Sequence, residues 1–497
     1  MSNRVRSVLG LALAAWGATL GACAAHPGPV NGPPAAAASS LESEQTWRAQ
    51  KPIAGAPRDF SYPPAQVTTL PNGVQLWLVQ RKAGTVALSV AVRGGGAASP
   101  AGKSGVAALT LRSMTEATQQ KGPLGLAEAA EALGTSLDFD TGRDGSSLSL
   151  EVLPSDVPAA LDLLSEIITK PRFLEADVAR IKRQWLDSLA SERQDPARLA
   201  SLAGLRALFG PVIGAPVRGS VADVTHLTRE DLVRFHHDYY VASNLAVLAV
   251  GDLSLERWTE LVGNGFGELP RRKAPVQPPL ELPAAPAHTT LWIIDRPDSV
   301  QSALFVGQPF PERAAAGYES RLVMNNLLGG LFTSRLNLNL REKHAYTYGV
   351  RSQAIATRRF GAFVGMSSVK TESTAAALSE LLGELRGIAT GQPTPIALDE
   401  LDRSKTDLIH QLGANLEHGR RILADTHELF VNGLPADYQT TYLARIAQVT
   451  QPAAALEAAR LNPDRLAIVV VGDRQRIAPL LSAQGIIPLL APEAFTD

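Results

Sequence analysis

Two stretches of this chain close in the same way, and that repetition constrains the fold more than any other feature. A helix-like run beginning at Thr228 leads through NLAVLAVGD to Asp252, and another beginning at Thr450 leads through RLAIVVVGD to Asp473. Thr228 precedes Gly251 by 23 residues and Thr450 precedes Gly472 by 22. A β-prone apolar strand stopped by Gly-Asp at matched spacing marks a duplication, so the chain folds as two similar halves. The openings agree as well. LPNGVQLWLVQ and TVALSVAVRGG read as strands in the first half, as do TTLWIIDRP and ALFVGQPF in the second. Helical periodicity runs over 105–117, 125–133, 155–169 and 174–193. Each half thus mixes strands and helices in an α+β order. A Pro-rich stretch at 269–287 separates them, which places the halves at 61–268 and 288–490.

A length of 497 residues exceeds one ordinary core, and 45% hydrophobic with 19% charged residues describes a globular chain. The net charge is −1 and no dense Lys/Arg stripe occurs, which argues against nucleic acid as a partner. Arg4 and Arg6 precede a short apolar run from Val8 to Leu20, and Leu20-Gly21-Ala22-Cys23 resembles a bacterial lipobox. The reading is a lipoprotein signal peptide at 1–22, lipidation of Cys23, and a flexible Ala/Pro-rich tether at 23–60. Each buried lipid CH₂ adds ~0.8 kcal/mol of membrane affinity. Ala24 after Cys23 favours, by resemblance to known sorting patterns, an outer-membrane lipoprotein facing the periplasm. Cys23 is the only cysteine, so no disulfide supports the fold.

In the second half, NNLLGGLFTSRLNLNLREKHAYTYGV (325–350) carries Gly329, Gly330, Ser334, Arg335, Leu336, Leu340, Arg341, Glu342, Lys343 and Tyr348 in the register of a family signature. In the first half, GVAALTLRSMTEAT (105–118) sits where that family has a G-x-A-H-x-x-E-H helix. On these segments the chain resembles the pitrilysin/insulinase-type (inverted-zincin) metallopeptidases over about 65–478. The resemblance implies two homologous metallopeptidase-like halves, each a mainly antiparallel sheet flanked by helices, facing across a chamber.

It also shows what is missing. The two histidines fall on Ala108 and Arg112, the glutamate base on Leu111, and the third ligand, in the best register, on Gln184. A methyl and an isobutyl group cannot bind zinc or move a proton, and a guanidinium repels the cation. Catalytic residues and a metal are therefore not expected on this chain. Arg341 and Tyr348 match the pair that, in catalytic members, holds the substrate backbone and the tetrahedral oxyanion. A guanidinium donates two parallel hydrogen bonds and a phenol one, which suits that role.

Other chemistry finds no support. His236 and His237 are adjacent and point about 100° apart on a helix, so they cannot chelate as an i, i+4 pair would. His418 and His427 read as solvated helix residues, nothing singles out His344, and Asp252 and Asp473 close strands in turns. Gly94-Gly95-Gly96 reads as a loop, and no G-x-S-x-G elbow or Walker Gly-Lys-Ser/Thr occurs.

The resemblance implies a non-catalytic, substrate-binding subunit of a two-chain zinc peptidase in the bacterial envelope. Its partner would be a sibling bearing HxxEH and the zinc, and its substrate a peptide. Loss of the zinc site agrees equally with a peptide-binding or scaffolding lipoprotein, homodimeric or otherwise, with no proteolytic role.

Overall fold

The computed structural model describes residues 60–277, 280–492 and 495; the leader, Cys23 and the tether up to 59 lie outside the described residues. In the first half, β1 (Gln66–Thr69), β2 (Gln75–Gln80), β3 (Val86–Val92), β4 (Asp138–Thr141), β5 (Ser146–Val152) and β6 (Leu245–Gly251) form a sheet ordered β1-β2-β6-β3-β5-β4. In the second, β7 (Thr290–Asp295), β8 (Gln301–Phe310), β9 (Thr347–Ala356), β10 (Gly361–Lys370), β11 (Ala467–Gly472) and β12 (Leu489–Leu490) are ordered β12-β7-β11-β8-β10-β9. The sheets correspond slot for slot, and the two Gly-Asp strands, β6 and β11, take the same place. Both sheets are mainly antiparallel, with β2–β6 parallel in the first and β7–β11 and β7–β12 parallel in the second.

The first half carries α1 (Val106–Met114), α2 (Pro123–Ala132), α3 (Val157–Thr169), α4 (Glu175–Glu192), α5 (Pro196–Ile213), α6 (Val221–His226), α7 (Arg229–Tyr239) and α8 (Leu255–Phe266). The second carries α9 (Tyr318–Asn325), α10 (Arg335–Asn337), α11 (Thr374–Thr390), α12 (Leu398–Asn415), α13 (Gly419–Asn432), α14 (Tyr438–Ala447), α15 (Gln451–Ala458) and α16 (Arg474–Ser482). The four helices expected from periodicity are α1 to α4. The repeated threonine is a helix cap in both halves: Thr228 closes a capping box with Asp231 on α7, and Thr450 accepts from Ala453 N on α15. Gly105 and Gly317 likewise open α1 and α9 in the left-handed region, at φ 89° and 82°. A Cβ at Gly105 would also meet Arg218 O at 2.6 Å.

Each half has its own core, one between the first sheet and α1–α4, α7 and α8, the other between the second sheet and α9, α11, α12, α15 and α16. The opposite faces of the sheets are covered by exchange. On α13, Ile422, Leu423, Leu429 and Phe430 pack on Trp77, Val79, Ala246 and Leu248 of the first sheet. On α5, Leu199, Ala203 and Leu208 pack on Phe305, Val364 and Val469 of the second. This double coverage explains why β3, β6 and β11 are buried at every position, with no polar alternation. Phe305 and Phe430, almost wholly buried, contribute on the order of 2 kcal/mol each. Each half thus lends a helix to the other's sheet, which ties the two homologous halves together.

Candidate functional site

The helix that would hold the metal is α1. All of its residues but Arg112 are buried, so its sequence is set mainly by packing. Leu111 points into the core of the first half, where a carboxylate base would be desolvated without a partner. Ala108 and Arg112, one turn apart, share a face. The Arg112 guanidinium pairs with Glu116, a residue only 6% exposed, and Arg180 of α4 pairs with the other oxygen of that carboxylate. Arg180 is held in turn by Asp177 at 3.3 Å. The same two helices that a zinc ion would bridge are thus joined by a chain of charges. Gln184 lies one turn beyond Arg180 on α4 and is exposed. The sequence reading did not include Glu116 or Arg180; the i, i+4 spacing of Arg112 and Glu116 was the available signal.

The second segment is built differently. After α9 the chain makes two wide turns, Asn326–Gly330 and Leu338–Lys343, packed beside β9. A side chain on Gly329 would meet the Ser352 backbone N at 2.6 Å, which accounts for the first glycine of the motif. Leu336 and Leu340 are fully buried. Arg335 grips Glu400 with two nitrogens and donates to Pro395 O at 2.8 Å. Asn337 donates to Leu331 O at 3.0 Å and accepts from Val350 N at 3.1 Å, fixing the start of β9. Most of the signature therefore serves structure.

Two of its members do not. Tyr348, on the edge strand β9, is 92% exposed and forms no hydrogen bond among the described residues. Arg341 lies over the ring of Phe332, itself 62% exposed, at 4.2 Å from the centroid, and its Nε is 3.4 Å from Glu342. The structure places Arg341 and Tyr348 on one surface segment without bringing them into contact with each other or with Ala108, Leu111, Arg112 or Gln184.

The sequence profile of the insulinase family (peptidase family M16) matches residues 77–204, and that of the peptidase M16 inactive domain matches residues 226–408. The chain belongs to the insulinase family, as a degenerate member. A non-peptidase homolog, YmxG, of Helicobacter pylori is 26% identical over 73% of this chain and 83% of its own length. An uncharacterized zinc protease of Mycobacterium tuberculosis is 29% identical over 57% of this chain and 66% of its own. The crystal structure of a peptidase M16 inactive domain from Pseudomonas fluorescens superposes with a TM-score of 0.76 at 26% identity, covering 82% of this chain and 98% of that one.

The zinc of active insulinase-family members finds no fitting donor set on this chain. The positions that the resemblance assigns to the ligands, Ala108, Arg112 and Gln184, offer a methyl group, a guanidinium and an amide, and Leu111 stands at the position it assigns to the base. Among the described residues no group of three or more His, Cys, Asp or Glu is placed to hold a metal ion. His236 is half-buried, directed at Ile168 O at 2.8 Å and stacked on Tyr240, and His237 pairs with Asp238, so both serve packing. His418 and His427 do not share a helix, as had been expected. His418 precedes α13, and His427 lies on it, half-buried rather than solvated, with burial lowering its pKa. His344 stacks on Tyr346 at 5.0 Å. Asp473 caps α16 by accepting from Gln475 N at 3.0 Å.

Proposed function

We propose that this chain is the non-catalytic, substrate-binding subunit of a two-chain zinc peptidase of the insulinase family, held in the bacterial envelope by a lipid on Cys23. The observation that carries the reading is Tyr348. An aromatic side chain 92% exposed on an edge strand, on the same segment as a guanidinium seated on an exposed phenylalanine, gains little from its own chain. The Tyr348 hydroxyl has no partner among the described residues, and Arg341, held only at Nε by Glu342, keeps donors free for a ligand or a partner. A peptide backbone supplies the carbonyl oxygens they would bind. Two such chains in contact would enclose a chamber. The zinc and the general base would then reside on an HxxEH-bearing sibling.

The test is a tagged pull-down from native membranes, with the bound chains identified by mass and the eluate assayed for peptide cleavage. A stoichiometric HxxEH sibling with zinc-dependent cleavage supports the reading. Recovery of this chain without such a sibling, and no cleavage, refutes it. That second outcome would leave a peptide-binding or scaffolding lipoprotein; the name non-peptidase homolog borne by the H. pylori relative agrees with a non-catalytic chain in either case. Mass spectrometry of the mature N-terminus checks the lipid on Cys23.

A further inference from the structure

The pseudo-symmetry of the fold brings two equivalent hairpin turns together. The turn between β4 and β5 and the turn between β9 and β10 meet where Asp144 Oδ2 accepts from Arg358 N at 2.9 Å. Arg93, at the end of β3, lies behind them with its guanidinium over the Phe430 ring at 4.1 Å and its Nε donating to Phe430 O at 3.0 Å. The segment joining the halves runs across the opening, where Arg359 donates to Gln277 at 2.8 Å. Between these parts is a cavity of about 480 Å³, within the size range of small-ligand sites.

Its charge is unbalanced. Arg93, Lys273, Arg358 and Arg359 line it against a single carboxylate, Asp144, four cations to one anion for a net of +3. No ion pair neutralises Arg93, Lys273 or Arg358 among the described residues. Burial and the facing Arg358 both lower the pKa of Arg93. Like charges drawn into a partly desolvated pocket cost stability unless an anion enters. Two buried arginines elsewhere are paired with carboxylates, Arg321 with Glu457 and Arg313 with Glu428.

We propose that this junction is a binding site for a phosphate-bearing anion, either a free phosphate ester or the headgroup of an anionic lipid. Planar guanidinium forks match phosphate oxygens two at a time, and a group carrying two or more charges offsets the net +3 better than a single carboxylate. The occupant would touch both halves and the segment that joins them. This site is separate from the surface of Arg341 and Tyr348 and does not depend on the function assigned to them.

The probe is sodium pyrophosphate, titrated calorimetrically into the full chain carrying Cys23→Ser, with acetate as the control anion. Arg93 supports Phe430 and so the fold, whereas Arg358 and Lys273 are exposed, so the test uses R358A/K273A. Pyrophosphate should bind the parent and raise its melting temperature. The double variant should melt no lower than the parent without ligand and bind at least tenfold more weakly, as expected for loss of charge-assisted hydrogen bonds (~1.5–3 kcal/mol). Flotation with phosphatidylglycerol vesicles, against phosphatidylcholine, tests the lipid source. Vesicle binding lost in the double variant assigns the phosphate to a headgroup, and pyrophosphate binding alone assigns it to a soluble ester. Failure of both probes to bind, or binding that the double variant leaves unchanged, overturns the proposal.

Discussion

The α1–α4 contact and the Arg341–Tyr348 segment are the two regions that the resemblance to active insulinase-family members singles out, and they are built in opposite ways. At α1–α4 the loss of metal ligands has been made good within the chain. Leu111 is absorbed into the core, and Arg112, Glu116, Arg180 and Asp177 satisfy one another. At the other segment the scaffold is fully tied down by Gly329, Arg335 and Asn337, yet the two side chains it presents have little to hold within the protein. A site that has lost its role tends to close on itself, because unpaired buried charge is costly. A site still in use tends to leave its donors open. That contrast is the physical basis of the proposed substrate-binding role.

The largest effect should come from the open site. In the complex with a zinc-bearing sibling, Tyr348→Phe or Arg341→Ala should lower peptide cleavage by about 10²-fold, the loss associated with one oxyanion donor. The fall should appear in kcat as well as kcat/KM, with the melting temperature unchanged because Tyr348 is nearly free of contacts. Unchanged cleavage in both variants would break the comparison, since the open donors would then have no catalytic consequence.

The closed site should respond in stability alone. Glu116→Ala removes the carboxylate that two guanidinium groups share. Because both arginines retain partial access to water, the expected loss is roughly 2 kcal/mol, below the range for a fully buried pair. Urea denaturation measures it, and Glu116→Gln should recover part of the loss by keeping hydrogen-bond acceptance. A neutral Glu116→Ala would mean that the charge chain does not hold α1 to α4.

A smaller effect tests whether open polar groups in the second half always await a ligand. Asp425, on the exchanged helix α13, accepts from Tyr62 at 3.2 Å, and burial pushes its pKa up to about 6. Between about pH 4 and 6 the folded chain keeps a proton that the unfolded chain has released. Stability therefore falls as pH rises through that window, and the penalty is complete above it. Asp425→Asn should stabilise the protein at pH 7 on the order of 1 kcal/mol and make no difference near pH 4. Melting curves across that range check the sign. A gain of equal size at both pH values would show that ionisation is not the cause.

The sequence made the duplication legible because its markers are local: a threonine cap, a strand and a Gly-Asp stop recur at nearly fixed spacing. Strands β2, β3, β7 and β8 and helices α1 to α4 could be read for the same reason. The exchange of α5 and α13 could not. Nothing in residues 196–213 or 419–432 says which sheet they cover, since an apolar helix face fits either. No proline marks a helix end around His418, yet the chain leaves α12 near Asn415 and restarts at Gly419, which separates His418 from the helix that carries His427. Of the site, the degenerate positions were visible as substitutions. That Glu116 and Arg180 occupy the vacated role was not, because the partner on α4 is 64 residues away in sequence.

The smallest expected effect concerns the metal itself. If the α1–α4 contact has closed around its charge chain, zinc has no donor set to enter, and the isolated chain should be indifferent to it. A site with a dissociation constant of 1 μM would gain about 2.7 kcal/mol at 100 μM free zinc, a shift readily seen in a melting curve. The expected outcome is the same melting temperature in excess zinc and in chelator, with no metal retained after dialysis. Arg112→His offers a stricter version. It restores one imidazole, removes the repelling guanidinium and leaves Glu116 just past the end of α1, so it supplies two potential ligands close together. It should still bind no zinc, because Ala108 and the exposed Gln184 complete no tetrahedron. Stoichiometric metal in that variant would place the first half one substitution from a metal site, and the contrast between a closed and an open region would then rest on the second segment alone.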